Sequence, residues 1–300
     1  MNTYKTYLES KGFSNTTIQS NQNNLLQYIN WSEDSQIEAE QSTYNEVLGY
    51  VHYLKKKGLQ QGSIQASVNS LRHYFNWLIH RGVRKENPVI NMNIKGIKRR
   101  TLHNIFNKQE LEKLYNDYKE LPEIKGNYPT RKLSRKRNEI ILSLLVYQGI
   151  TTTELYRLTI KDIKLRDGKV YITNTRKSNE RTLKLESHQI LDMMEYTLQT
   201  RQELLKLTSK ETDLLFISIG KSNDLHNVIT KLLQQLKKLN KKVTSLNQIR
   251  TSVITNWLRM YNLRESQYMA GHKYVSSTEA YLINDLEDLQ EDINKYHPVS

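Results

Sequence analysis

SIQASVNSLRHYFNWLIHRG, residues 63–82, carries the clearest periodicity in the chain. Ile64, Val68, Leu71, Phe75 and Leu78 recur at alternating spacings of four and three, which aligns them on one stripe of an α-helix. Ser63 stands where an N-cap belongs and Gly82 where a helix stops. An apolar stripe needs covering, and weaker helical patterns run from about Thr16 to Trp31 and from Tyr44 to Lys57. The first ninety or so residues therefore read as a compact bundle of about four helices. Lys55, Lys56, Lys57, Arg72, Arg81, Arg84 and Lys85 fall on its polar faces, either as solvated charge or as a phosphate-contacting surface.

After Asn87-Pro88 the pattern breaks, and INMNIKGIKRRTLHNI (90–105) has no sustained period, several turn formers and the cations Lys95, Lys98, Arg99 and Arg100. This divides the chain into a helical domain over 1–92, a basic linker over 93–106 and a second domain over 107–300. Helical periodicity resumes near Lys108 and passes through the basic segment Arg131 to Arg137 into an apolar helix over 138–148. A short helix is expected around Thr153 to Leu158. Two strand-like pieces follow, Lys169 to Thr173 and Arg181 to Leu185, joined by the polar loop Asn174 to Glu180 as a β-hairpin. Further helices are expected at about 187–207, 222–239, 244–260, 264–270 and 275–296, with an apolar strand at Leu214 to Ser218. The fold class is mainly α with a small β-hairpin or sheet, in the α+β sense.

Composition narrows the function. Forty-five Lys and Arg against 31 Asp and Glu leave a formal charge of +14, which favours polyanionic partners, nucleic acid first. The longest apolar run, Ile140 to Tyr147, is far too short to span a bilayer, and the N-terminus carries no secretory pattern or lipidation signal, so a cytoplasmic protein without membrane association is expected. The absence of cysteine excludes disulfides and thiolate metal sites. Four Pro and eleven Gly are too few punctuators for a β-sandwich. Gly220-Lys221-Ser222 lacks the glycine that a phosphate loop requires at 215, where Leu stands. The eight His include no metal-binding pattern, and neither metal nor cofactor is expected. The carboxylates Asp285, Glu287, Asp288, Glu291 and Asp292 lie opposite Leu282, Leu286, Leu289 and Ile293, so they read as a solvated helix face.

The C-terminal third places Arg250, Ala270-Gly271-His272 and Thr278-Glu279-Ala280-Tyr281 in an order and spacing that resembles the tyrosine recombinases, or phage integrase family. Gly149-Ile150-Thr151-Thr152-Thr153-Glu154-Leu155 looks like that family's G-L-R-x-x-E-L box, and the 169–185 hairpin looks like the one bearing its catalytic lysine. Asn87-Pro88, the linker and Phe106-Asn107-Lys108-Gln109-Glu110 resemble the boundary between its core-binding and catalytic domains. The resemblance implies a helical, SAM-like core-binding domain followed by a recombinase catalytic domain, acting on double-stranded DNA without a cofactor in site-specific recombination or integration, as in a mobile genetic element.

By the same resemblance Tyr281 would attack a phosphodiester, Arg250 would clamp the phosphate and His272 would donate to it. Lys177 would be the hairpin lysine, although Arg176 aligns nearly as well. Two positions depart from the pattern: Thr151 stands where the first arginine belongs and Asn247 where H-x-x-R begins. A hydroxyl offers one neutral donor in place of a charged fork, and losing one oriented donor typically costs about 10²–10³ in rate. Either impaired strand exchange or a catalytically inactive DNA-binding accessory or regulator therefore fits. Phosphate-contact candidates are Lys98, Arg99, Arg100, Arg135, Arg137, Arg176 and Arg181; the two domains would close as a C-shaped clamp on opposite faces of a duplex, with the basic linker tracking its backbone. The amphipathic stretch 282–296 would serve self-association, or docking to a partner recombinase on DNA, or would pack in cis.

Overall fold

The computed structural model describes residues 3–96, 104–122, 126, 128–176, 178–220 and 225–282. The expected cations Lys98, Arg99, Arg100 and Lys177, and the tail beyond 282, lie outside the described residues. The chain divides into two compact units, Met1–Arg100 and Thr101–Ser300, each with its own apolar cluster.

The first unit holds α1 (Tyr4–Ser10), α2 (Asn15–Asp34), α3 (Tyr44–Lys56) and α4 (Gln61–His80). The five stripe residues of α4 are all fully buried, packed with Leu25 and Tyr28 of α2 and Val47, Tyr50 and Val51 of α3. The helix starts earlier than expected: Gln60, not Ser63, occupies the N-cap position, and it makes no side-chain cap. Two of the surface cations are structural. Arg72 donates to the carbonyl oxygens of Val89 and Met92 (3.3 and 2.8 Å), and Arg84 lies over the Phe75 ring while donating to those of Glu40 and Ser42. Lys55, Lys56, Lys57 and Lys85 remain exposed. Asn87 bonds Arg72 O and Asn76 Oδ1 and accepts from Val89 N–H, which folds the Asn-Pro turn back onto α4.

The second unit is built around α6 (Pro129–Tyr147), whose residues from Arg137 to Val146 are buried on all sides. The basic segment is thus the first half of this helix, preceded by a break after α5 (Lys108–Lys119). Packing of this unit begins before the expected 107: Phe106 is fully buried, its N–H donates to Ser252 Oγ, and its carbonyl accepts from Asn256. Next come α7 (Thr152–Arg157) and a three-stranded antiparallel sheet of β1 (Ile163–Lys164), β2 (Lys169–Ile172) and β3 (Arg181–Lys184), in the order β1-β2-β3. The short β1 was not legible in sequence, because two residues show no alternation. Register pairs Val170 with Leu183 and Ile172 with Arg181, so Arg181 faces inward.

A single long helix follows in three parts, α8 (Ser187–Glu195), a π-helical turn (Tyr196–Thr200) and α9 (Arg201–Thr208); then come α10 (His226–Leu239), α11 (Leu246–Met260), α12 (Leu263–Ala270) and α13 over 275–282. The expected strand at Leu214 to Ser218 is absent as a strand, reduced to one bridge between Leu214 and Thr159. Side-chain donors replace ladder partners there: Arg201 bonds the carbonyls of Thr212 and Leu214, Tyr196 that of Leu215, and Arg137 that of Ile217. Arg137 is therefore a buried scaffold residue, not a phosphate contact. Arg135 is likewise committed, donating to the carbonyls of Lys119, Leu121 and Pro122 at the end of α5. Among the described residues no helix is long and apolar enough to cross a membrane, and no group of three or more His, Asp or Glu is arranged to hold a metal.

Phe75→Ala removes a fully buried ring from the first unit and is expected to cost about 3–5 kcal/mol. Truncation of half-exposed Tyr53 should stay within about 0.5 kcal/mol, both read by chemical denaturation of the full chain.

Candidate active site

Glu154 organises the site. It closes a capping box at the start of α7, where Thr151 N–H and Oγ1 donate to its Oε2 (2.8 and 2.9 Å) and its own N–H donates to Thr151 Oγ1. The same carboxylate accepts both terminal nitrogens of Arg181 (2.7 and 3.2 Å) and the hydroxyl of Ser178 (3.3 Å). Burial alone would raise its pKa, but bonding and charge from Arg181, with Thr151 and Arg250, bring it down to about 2. Thr151 is thus occupied as a cap, and its hydroxyl is spent on Glu154.

Arg181 is 1% exposed, which corrects its expected role as a phosphate-contacting surface cation. Its guanidinium lies under Gly271, where a Cβ would come within 2.5 Å of Nη1. Gly271 also has φ +69°, so this turn requires glycine on two counts. Across the same contact Asn179 N–H donates to Gly271 O (2.9 Å), and Ser178 forms a β-bridge with His272. The hairpin loop is docked against the His272 turn. Thr175 and Ser178 close that loop on each other, leaving Arg176 exposed at its tip.

Arg250, from α11, is buried and donates to the carbonyl oxygens of Gly149 and Ala270 (2.7 Å for the latter). Gly149 has φ +54°, and a Cβ there would meet Val253 at 3.0 Å, so glycine lets α11 approach. Two of five guanidinium N–H donors are used by these carbonyls; the Tyr281 hydroxyl lies beside the guanidinium, near enough to interact with it. The Tyr281 ring stacks on His272, with centroids 5.6 Å apart and 20° between planes. His272 Nδ1 pairs with Thr278 Oγ1 at 2.9 Å. Burial, then the charges of Arg250 and Arg181, lower the His272 pKa to about 4 against the opposing pull of Glu154, so near neutral pH the ring is uncharged.

Of the residues singled out in sequence, Tyr281, Arg250, His272 and Thr151 come together, and Arg176 stands exposed at the tip of the hairpin loop that Ser178 docks against His272. Asn247 is exposed one turn before Arg250 and makes no hydrogen bond to the cluster among the described residues. Sequence reading missed the Glu154–Arg181 pair and Thr278. The first had two signals, the T-x-x-E capping-box spacing and the alternation of Arg181, Leu183 and Leu185 along β3.

Acid stability separates the two titrating groups. His272 folds with a depressed pKa, so stability falls as pH drops from about 6.5 through the folded value of about 4. Glu154 contributes stability above the unfolded carboxylate pKa of about 4.3, lost as pH falls through about 2. Denaturation midpoints measured against pH should lose the upper limb in His272→Asn and the lower limb in Glu154→Gln; a wild-type profile in either variant contradicts the corresponding assignment.

Known proteins are similar to this chain along most of its length. The sequence model of the phage integrase family matches residues 104–287, and that of the phage integrase N-terminal SAM-like domain matches residues 1–82. The chain is 26% identical over 294 residues to tyrosine recombinase XerD of Oceanobacillus iheyensis, covering 96% of this chain and 94% of that protein. It is 30% identical over 166 residues to tyrosine recombinase XerD of Staphylococcus haemolyticus, a match spanning 54% of this chain and only 55% of that relative's length. In fold it is similar to XerH site-specific recombinase bound to difH substrate, with TM-score 0.72 at 17% identity over 95% of this chain and 82% of that one. It is also similar to a lambda integrase dimer bound to a core site, with TM-score 0.63 at 16% identity over 93% and 74%. The order of elements, the SAM-like N-terminal domain and the sequence match over most of the chain agree: the protein belongs to the phage integrase family of tyrosine recombinases.

Proposed function

We propose that this chain cuts and rejoins double-stranded DNA at specific sites, with Tyr281 as nucleophile. The observation that carries the reading is the placement of the Tyr281 hydroxyl beside the Arg250 guanidinium with its ring stacked on a neutral His272. Tyr281 Oη forms a bond to phosphorus as the bond to the 5′-oxygen breaks; the tyrosine proton departs and the leaving oxygen gains one. The product is a 3′-phosphotyrosine and a free 5′-hydroxyl, and attack by another 5′-hydroxyl reverses the step, so rejoining needs no nucleotide cofactor. Negative charge on the phosphorane-like transition state meets the remaining N–H donors of Arg250 and the imidazole of His272. Lys177 is the candidate proton donor to the leaving oxygen; Arg176, exposed at the tip of the loop docked against His272, is the alternative cation there and, as a guanidinium, stabilises charge without giving up a proton. Asn247 supplies at most a neutral hydrogen bond.

A second reading has its own observation in favour. Thr151 stands where the family's first arginine belongs and is spent on capping Glu154, so the chain has one phosphate donor fewer; it then binds recombination sites while a partner recombinase cuts. Both readings involve the exposed lysines of the first unit, the linker cations and, through 282–296, contact with a neighbouring protomer.

The test uses duplexes selected by the protein from a random pool, then nicked so that the cleaved strand diffuses away. Wild type should form a covalent protein–DNA complex and Tyr281→Phe none, with duplex binding retained. Binding without a covalent complex, persisting in Thr151→Arg/Asn247→His, sinks the cleavage reading and favours the binding-only one. Affinity should fall linearly in log–log terms with salt; salt-insensitive binding contradicts phosphate-dominated recognition.

A further inference from the structure

We propose that Arg181 is a positioning residue for strand cleavage, whose ion pair with Glu154 registers the hairpin loop against the Gly271–His272 turn and fixes a second guanidinium beside Arg250. The proposal rests on the reading of this cluster as a strand-cleavage centre and names the group that supplies positive charge where Thr151 does not.

The geometry goes beyond structural packing. The side chains of Arg181 and Glu154 are 0% and 2% exposed, and a fully buried ion pair is commonly no more stabilising than apolar residues of the same volume. Arg181 Nε is buried and finds no partner among the described residues, a further cost. Two guanidiniums and one carboxylate leave the buried cluster with a net positive charge, and each arginine lowers the affinity of its surroundings for further cations: Arg181 depresses the pKa of Arg250 as well as that of His272. Burying like charges side by side is unfavourable until an anion arrives, and a backbone phosphate at Arg250 is such an anion.

The pair also joins three segments that the reaction needs in register. Glu154 ties Arg181 to the Thr151 turn and to Ser178 of the hairpin loop, while the guanidinium packs under Gly271, next to His272. The charged groups around His272 are Arg250 from α11, Arg181 from β3 and Glu154 from α7, with the Tyr281 ring from α13 stacked upon it. Removing Arg181 therefore alters both where His272 sits and how readily it takes a proton.

Arg181→Gln alone leaves Glu154 buried and unpaired, so the informative variants are Arg181→Gln/Glu154→Gln, which removes both charges, and Arg181→Lys, which keeps the charge and loses the fork. In single-turnover trapping on nicked duplex, the double variant should form covalent complex about 10²-fold more slowly with affinity for the same duplex unchanged within about twofold. Arg181→Lys should recover part of that loss. In the DNA-free chain, NMR titration of His272 should move to higher pH in the double variant, because Arg181 outweighs Glu154 there, and stay near wild type in Arg181→Lys. Trapping within about twofold of wild type, or an unmoved titration, overturns the proposal. If wild type binds DNA and forms no covalent complex, the cleavage reading fails separately, and the charge role of Arg181 is decided by the titration, which needs no DNA.

Discussion

A buried carboxylate with five donors on it holds the C-terminal unit's site together. Glu154 takes two from Thr151, one from Ser178 and two from Arg181, so the turn before α7, the hairpin loop and the first residue of β3 share one anchor. Because those bonds and the charge of Arg181 outweigh the burial penalty, the carboxylate stays ionised and its partners stay fixed. Everything placed on those segments inherits their position: the exposed tip at Arg176, the bridge from Ser178 to His272, and the stacking of Tyr281 on the imidazole.

The second constraint is the close approach of α11 to the turn before α7. Gly149 leaves room for Val253 and Trp257, and Arg250 then bridges the carbonyls of Gly149 and Ala270, stapling the start of α7 to the end of α12. Arg250 thus does two things at once. Its bonded nitrogens fix the scaffold, and the donors left over face the Tyr281 hydroxyl. The scaffold arginines Arg137 and Arg201 work differently, donating to the carbonyls of Thr212, Leu214 and Ile217 where no sheet does so.

Much of the helical framework was legible in the chain. The α4 stripe, the α2 and α3 patterns, the hairpin and the helices from 187 onward follow from periodicity, because an apolar face must be covered wherever it recurs. The strand expected at Leu214 failed for the complementary reason: an apolar run says that a segment is buried, not what its backbone bonds to, and here side-chain donors served. Arg137 and Arg181, expected at the surface, turn inward for the same reason. A basic run marks charge without saying which charges turn inward.

From the sequence alone came the two-part helical organisation, the basic character and the collinear order of Thr151, the hairpin loop, Arg250, His272 and Tyr281. Only the tertiary structure decided that Thr151 is a cap, that Asn247 stands apart, and that Arg181 is an interior cation paired with Glu154 beside Gly271. Periodicity is a local property that orients a side chain relative to its own helix or strand. What lies opposite is set by partners 27 residues away for Arg181 and 101 for Arg250, and that pairing exists only once the chain has folded.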